Sequence, residues 1–145
     1  MNSRIDKEIS ICKEDFKIQK RGVNLLTAFI SGPGDTPYEG GKFELEIKLP
    51  ENYPFDPPDI KFVTSVWHPN ISSVTGVICM DILKSNKWSP ALNLMSVLVS
   101  IQSLLSEPIP EDPQDGVVAQ QYLKSKEEFE NTARYWTSAF AIEAT

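Results

Sequence analysis

The sequence predicts an α+β domain built on an antiparallel sheet, and three patterns carry that expectation. Residues 43–49, Phe-Glu-Leu-Glu-Ile-Lys-Leu, alternate apolar and charged side chains without a fault, the period of a strand buried on one face only. Leu94, Val97, Leu98, Ile101, Leu104 and Leu105 recur at helical spacing and give the most apolar helix of the chain, expected at the centre of the core. The order is one helix, then strands, then helices, which is not the alternation of a parallel βα fold.

The remaining elements follow in order. Ile5, Ile9, Cys12 and Phe16 fall on one stripe of a first helix, with Ser3 placed to cap it and Arg4, Lys7 and Glu8 directed outward. "VNLLTAFISG" reads as a strand entering the turn "GPGDTPYEGG", and "IKFVT" as a further short strand. Between them "PENYPFDPPD" has four prolines in ten residues. Proline fixes φ and removes a donor, so this is a stiff exposed loop. A second proline-rich loop, "EPIPEDPQD", leads to "GVVAQQYLKS". The last helix, "KEEFENTARYWTSAFA", repeats Phe129, Ala133, Trp136 and Phe140 along one face. No internal repeat or domain boundary interrupts the 145 residues, which suffice for one domain with a real core.

Composition narrows the function. Lys+Arg of 14 against Asp+Glu of 20 gives a net charge of −6, with no basic stripe to neutralise phosphates, so nucleic acid is not the expected partner. No apolar run approaches a membrane span, and "MNSRIDKEIS" lacks a signal peptide's apolar segment, which points to the cytosol or the nucleus. Cys12 and Cys79 are too few for a disulfide framework and are expected as free thiols. One histidine and two distant cysteines make no zinc site, and neither GxGxxG nor a P-loop is present, so no metal or small cofactor is expected.

One stretch concentrates the chemistry: "WHPNISSVTGVICMDILKSNKWSP", residues 67–90, which holds the only histidine and one of the two cysteines. It is rich in turn formers. Its cysteine invites a catalytic reading, yet no pair of bases surrounds it as a thiol hydrolase requires.

From "RIDKEI" in the first helix to "ARYW" in the last, the chain resembles the ubiquitin-conjugating enzymes. "PYEGGKFELEIKLPENYPFDPP", "WHPNI", "GVICMDIL", "WSPAL", "SIQSLL" and "PEDPQD" are similar to that family's motifs, in its order and at its spacing. The resemblance implies an N-terminal helix, an antiparallel meander of about four strands, an active-site loop, a central helix and C-terminal helices. "HPNISSVTGVIC" and "EDPQDGVVAQQYL" resemble most the subgroup that builds ubiquitin chains and usually carries a C-terminal ubiquitin-associated domain. Here the expectation is a single conjugating core over residues 1–145, without that appendage.

Residue by residue, the resemblance makes Cys79 the acceptor of ubiquitin's C-terminus as a thioester; the rival reading is a buried structural thiol between Ile78 and Met80. It also accounts for the missing base. A carrier must not hydrolyse its cargo, and a thiol near its free pKa of about 8.5 is still a few per cent thiolate at neutral pH. His68 and Pro69 match residues that brace the loop. Asn70 matches an asparagine that donates to the oxyanion formed during lysine attack, or else it is only a turn residue holding the loop. The segment between Asn70 and Cys79 is a residue longer than in many members. Asp112 matches an acidic position that orients the incoming lysine, with Asp81 a secondary candidate; aspartates flanked by proline are otherwise loop and cap residues. Phe55, Pro90 and Ala91 match the surface that docks RING or HECT ligases, unless Phe55 closes the core under its own loop. Arg4 and Lys7 match contacts with the ubiquitin-activating enzyme, or form a solvated helix face.

The implied reaction is acyl transfer without a metal or cofactor, ATP being consumed upstream by the activating enzyme, with protein lysines as acceptors. Three rivals are distinguishable. The same chemistry could serve a ubiquitin-like modifier. A scaffold of the same fold would bind ubiquitin without carrying it, but such proteins lack the cysteine. A thiol hydrolase would need the absent base.

Overall fold

The computed structural model describes residues 3–142; the side chain of Ser3, the expected cap, lies outside the described residues. Helix α1 (Ser3–Phe16) is followed by strands β1 (Gln19–Lys20), β2 (Leu25–Ser31), β3 (Lys42–Lys48) and β4 (Asp59–Phe62). A 3-10 turn (Asp81–Leu83), α2 (Leu94–Ser106), α3 (Gly116–Lys124) and α4 (Lys126–Phe140) complete the order. The strands pair antiparallel in the sequence β1-β2-β3-β4, the expected meander of four.

The alternating pattern of β3 sets the register. Leu26 pairs with Ile47, Ala28 with Leu45, Ile30 with Phe43, and Phe62 and Ile60 continue the rows on β4. All eight side chains are buried. On the opposite face Thr27, Glu46 and Lys61 form a row, the two charges 3.9 Å apart. A slip of one residue would exchange these faces, so burial fixes the pairing. Helix α2 lies in the core with Leu94, Val97, Leu98, Ile101, Leu104 and Leu105 all buried. Its first turn is capped by Asn93, whose side chain accepts from the Ser96 N–H at 2.8 Å.

One element is added to those expected and two local expectations are corrected. Strand β1 has no apolar pattern; its two exposed residues are strand only because β2 pairs with them. In α4 the buried stripe is Phe129, Ala133 and Thr137, while Phe140 is 52% exposed. Thr137 can be buried because its hydroxyl donates to the Ala133 carbonyl at 2.8 Å, leaving no unpaired polar group. Trp136 packs against Trp67, ring centres 5.0 Å apart. Glu8 is the second correction: it turns inward and is 6% exposed, where an outward carboxylate is expected from the sequence. Its partners come from distant segments, as described below.

Candidate active site

The segment after β4 folds back as a hairpin. The Cys79 N–H donates to the Asn70 carbonyl at 2.8 Å, and the Ser72 N–H to the Val77 carbonyl at 2.9 Å. The tip is closed by the Ser72 hydroxyl, which accepts from the amides of Val74 and Thr75. Gly76 completes the turn at φ +80°, and a side chain there would overlap the Phe62 carbonyl. Pairing of Asn70 with Cys79 is thus set at the base of the hairpin, and the length of the segment is absorbed at its tip.

His68 grips the last turns of α2, and Pro69 and Asn70 grip the chain between α2 and α3. His68 Nε2 lies 2.7 Å from the Leu104 carbonyl, and its Nδ1 is 3.0 Å from the Asn70 N–H. A carbonyl can only accept and an amide N–H only donate, so the ring is the neutral Nε2–H tautomer. The Pro69 carbonyl accepts from the amides of Gln114 and Asp115 at 2.9 and 3.0 Å. Asn70 Nδ2 donates to the carbonyls of Ile109 and Asp112, both at 2.9 Å, and Oδ1 accepts from the Ile109 N–H at 2.8 Å. Both amide hydrogens are therefore engaged in holding the loop.

His68 is fully buried, and that burial lowers its pKa from 6.5 to about 4, the bond to Leu104 opposing the shift. Neither nitrogen is free to take a proton from Cys79. Between pH 6.5 and 4 the unfolded chain binds a proton that the folded chain refuses, so stability is complete above pH 6.5 and falls on acidification. The expected loss is about 2 kcal/mol at pH 5 and about 3 kcal/mol at pH 4. Urea unfolding at pH 7.5 and 5, above most carboxylate titration, measures it. An unchanged midpoint would contradict the buried neutral ring.

The thiol of Cys79 is partly exposed at the rim of a groove of about 250 Å³. Met80, Ile82, Leu104 and Ile109 give this groove apolar walls, and Asn70, Asp81 and Asp112 line it with polar groups. Sγ lies 3.7 Å from Asp112 Oδ2 and donates to it. Burial, then the negative charge of Asp112, raise the thiol pKa above its ordinary value, and Lys84 opposes them. A raised pKa leaves less thiolate, but a more nucleophilic one that departs less readily. Asp81 is exposed and pairs with Lys84 Nζ at 3.2 Å.

Phe55 is 73% exposed, which excludes the alternative that it closes the core. Pro90 and Ala91 are exposed as well, and the two loops are joined where Trp88 Nε1 donates to the Pro54 carbonyl at 2.7 Å. Lys7 is exposed. Arg4 is held within the molecule, its guanidinium donating to Glu8 and to the carbonyls of Pro90 and Leu92. Cys12 is fully buried, and its thiol is pushed up to about 11 by burial and then by Glu8 and Asp15.

Asp115 was not singled out from the sequence, although an aspartate just before "GVVAQQYL" is a helix-start signal. Its Oδ1 accepts from the Val118 N–H at 3.2 Å as the cap of α3. Its Oδ2 accepts from the Ser73 amide at 2.9 Å and hydroxyl at 2.6 Å, tying the hairpin tip to the helix. Although partial burial acts the other way, these donors together hold its carboxyl below the usual range. Its contribution is therefore present above that range and lost in acid. Asp115→Ala should cost about 1–2 kcal/mol, most of it the cap. Equal urea midpoints for Asp115→Ala and wild type at neutral pH would contradict this.

The nucleophile thus sits on a hydrogen-bonded hairpin in an open groove, with a carboxylate beside it and no free imidazole to activate it, unlike the Cys-His pair of a thiol hydrolase. Comparison with known proteins agrees. The family pattern described as ubiquitin-conjugating enzyme matches residues 3–137. Ubiquitin-conjugating enzyme E2 27 of Arabidopsis thaliana is 54% identical over 146 residues, 96% of this chain and 76% of that protein. Ubiquitin-conjugating enzyme E2 K of Homo sapiens is 58% identical over 116 residues, 80% of this chain and 58% of that protein. The solved E2 domain of a Toxoplasma gondii ubiquitin conjugating enzyme superposes with a TM-score of 0.90 at 46% identity, covering 96% of this chain and 97% of that one. The chain belongs to the ubiquitin-conjugating enzyme family, whose members work with ubiquitin, an activating enzyme and ubiquitin ligases.

Proposed function

We propose that Cys79 accepts ubiquitin from the activating enzyme as a thioester and passes it to a lysine of a substrate or of another ubiquitin. The observation that carries this reading is the accessible thiol with no free imidazole to activate it, the chain's only histidine being committed through both nitrogens. In loading, the Cys79 thiolate attacks the activating enzyme's thioester carbonyl and that enzyme's thiolate departs. In transfer, a neutral lysine amine attacks the new thioester, an isopeptide bond forms, and the Cys79 thiolate leaves. Asp112, 3.7 Å from the sulfur, is placed to orient the amine and draw off its proton. Asp81, paired with Lys84, stands further back in this scheme.

Asn70 acts as a positioning residue: its engaged amide favours bracing of the Asp112 loop over direct donation to an oxyanion. His68 and Pro69 serve the same brace. RING or HECT ligases dock at Phe55, Pro90 and Ala91, an exposed aromatic on a stiff loop being a low-entropy anchor. The activating enzyme meets the α1 face that carries Arg4 and Lys7. The motifs around residues 68–79 and 111–123 support membership of the chain-building subgroup.

The test begins from the thioester purified away from the activating enzyme. It should persist without amine and discharge when free lysine is added. Rapid decay to free ubiquitin in lysine-free buffer would identify a hydrolase and overturn the reading. Parallel loading with ubiquitin-like modifiers should give no comparable adduct.

A further inference from the structure

Glu8 is a buried carboxylate that the reaction scheme does not use. It has three donors from three separate elements. Arg4 Nε on its own helix lies 2.9 Å from Oε2, while Oε1 accepts from the Tyr53 hydroxyl at 2.8 Å and from the Leu94 N–H at 2.7 Å. Tyr53 sits two residues before Phe55 in the proline loop. Leu94 opens α2, directly after the segment of Pro90 and Ala91. A carboxylate at a helix N-terminus is favoured by the helix dipole, and an ion pair with Arg4 offsets the rest of its desolvation.

Arg4 extends the linkage. Its Nη2 donates to the carbonyls of Pro90 and Leu92 at 2.8 and 3.0 Å, and its guanidinium lies 5.9 Å from the Tyr53 ring centre. Tyr53 in turn packs on Trp88, ring centres 6.2 Å apart. Burial and the bond to Glu8 raise the Tyr53 hydroxyl well above the ordinary tyrosine range, so it remains a donor throughout the working pH range. Both loops that carry the exposed anchors are thus referred to one buried charge.

We propose that Glu8 is a positioning residue for the ligase-docking surface, its carboxylate setting the spacing between the loop of Phe55 and the loop of Pro90 and Ala91. This rests on the docking reading given above. A stiff anchor binds well only if its neighbours are held in register, since ordering them at the moment of contact subtracts from affinity. Glu8 does that ordering in advance. Glu8 does not line the groove around the thiol, and Arg4, Tyr53 and Leu94 do not line it either.

The experiment is single-turnover discharge of preformed, purified thioester to free lysine, titrated with an isolated RING domain that stimulates the wild-type protein. Glu8→Gln, Tyr53→Phe and Phe55→Ala are compared, with melting temperatures. Glu8→Gln should raise the half-saturating RING concentration about fivefold and Tyr53→Phe by less, corresponding to loss of roughly one hydrogen bond. Discharge without RING domain should stay at the wild-type rate, which a general loss of structure would not allow. If Phe55→Ala shifts half-saturation while Glu8→Gln and Tyr53→Phe do not, the positioning role is refuted and the docking site stands. If Phe55→Ala also leaves it unchanged, the docking reading fails and the inference with it. Should Glu8→Gln fold poorly, Tyr53→Phe, which keeps the ring, decides.

Discussion

Asn70→Ala should slow single-turnover transfer from the Cys79 thioester to free lysine on the order of a hundredfold, the penalty for misplacing a reacting group by about an ångström. Loading of Cys79 should remain within a few-fold of wild type, because transthiolation does not involve the Asp112 loop. The reason is geometric. Three hydrogen bonds from one buried side chain fix Ile109 and Asp112 relative to the hairpin that carries the thiol. Removing them should also cost about 1–3 kcal/mol of stability, through groups left without partners. A double-mutant cycle separates this brace from an oxyanion donor. If Asn70 works by placing Asp112, then Asp112→Ala should add little to Asn70→Ala. Effects that multiply would mean that Asn70 acts on the thioester oxygen independently, and the brace would not be its role.

The parts of the fold that were legible in the sequence are those where one residue's environment repeats at a fixed period. Leu94 to Leu105 is buried as a stripe because one face of α2 meets the core while Val99 on another face stays exposed. Residues 43–49 alternate because β3 has a sheet neighbour on each side and a core on one face. Where the environment is set by remote partners, the pattern is silent. Strand β1 exists only through its pairing with β2. Glu8 reads as one charge among several on an outward face, and only the approach of Tyr53 and Leu94, 45 and 86 residues away, makes its burial possible.

The candidate site divides in the same way. Motif matches brought Cys79, Asn70 and Asp112 forward from separate stretches, and the chain folds them into one groove. Motifs could not say what each side chain touches. Asn70 has no amide hydrogen to spare, and Arg4 is turned onto the carbonyls of Pro90 and Leu92. Asp115 carries a helix-start signal, but its tie to the hairpin tip is hidden because its partner Ser73 lies 42 residues earlier. The histidine shows the converse. A lone imidazole beside a thiol invites a catalytic role, and its complete burial with two backbone partners removes that role on chemical grounds.

The central claim is that Cys79 carries the acyl group, and loading tests it most directly. The protein is mixed with activating enzyme, ATP and ubiquitin, and the adduct is resolved with and without thiol reductant. Wild type should form a one-ubiquitin adduct that reductant removes. Cys79→Ser should form an adduct that survives reductant and transfers poorly to amines, because an oxyester's alkoxide leaves far less readily than a thiolate. Cys12→Ser should load like wild type, since that thiol is fully buried and its pKa is pushed up to about 11. A reductant-sensitive adduct that persists in Cys79→Ser and disappears in Cys12→Ser would contradict the account.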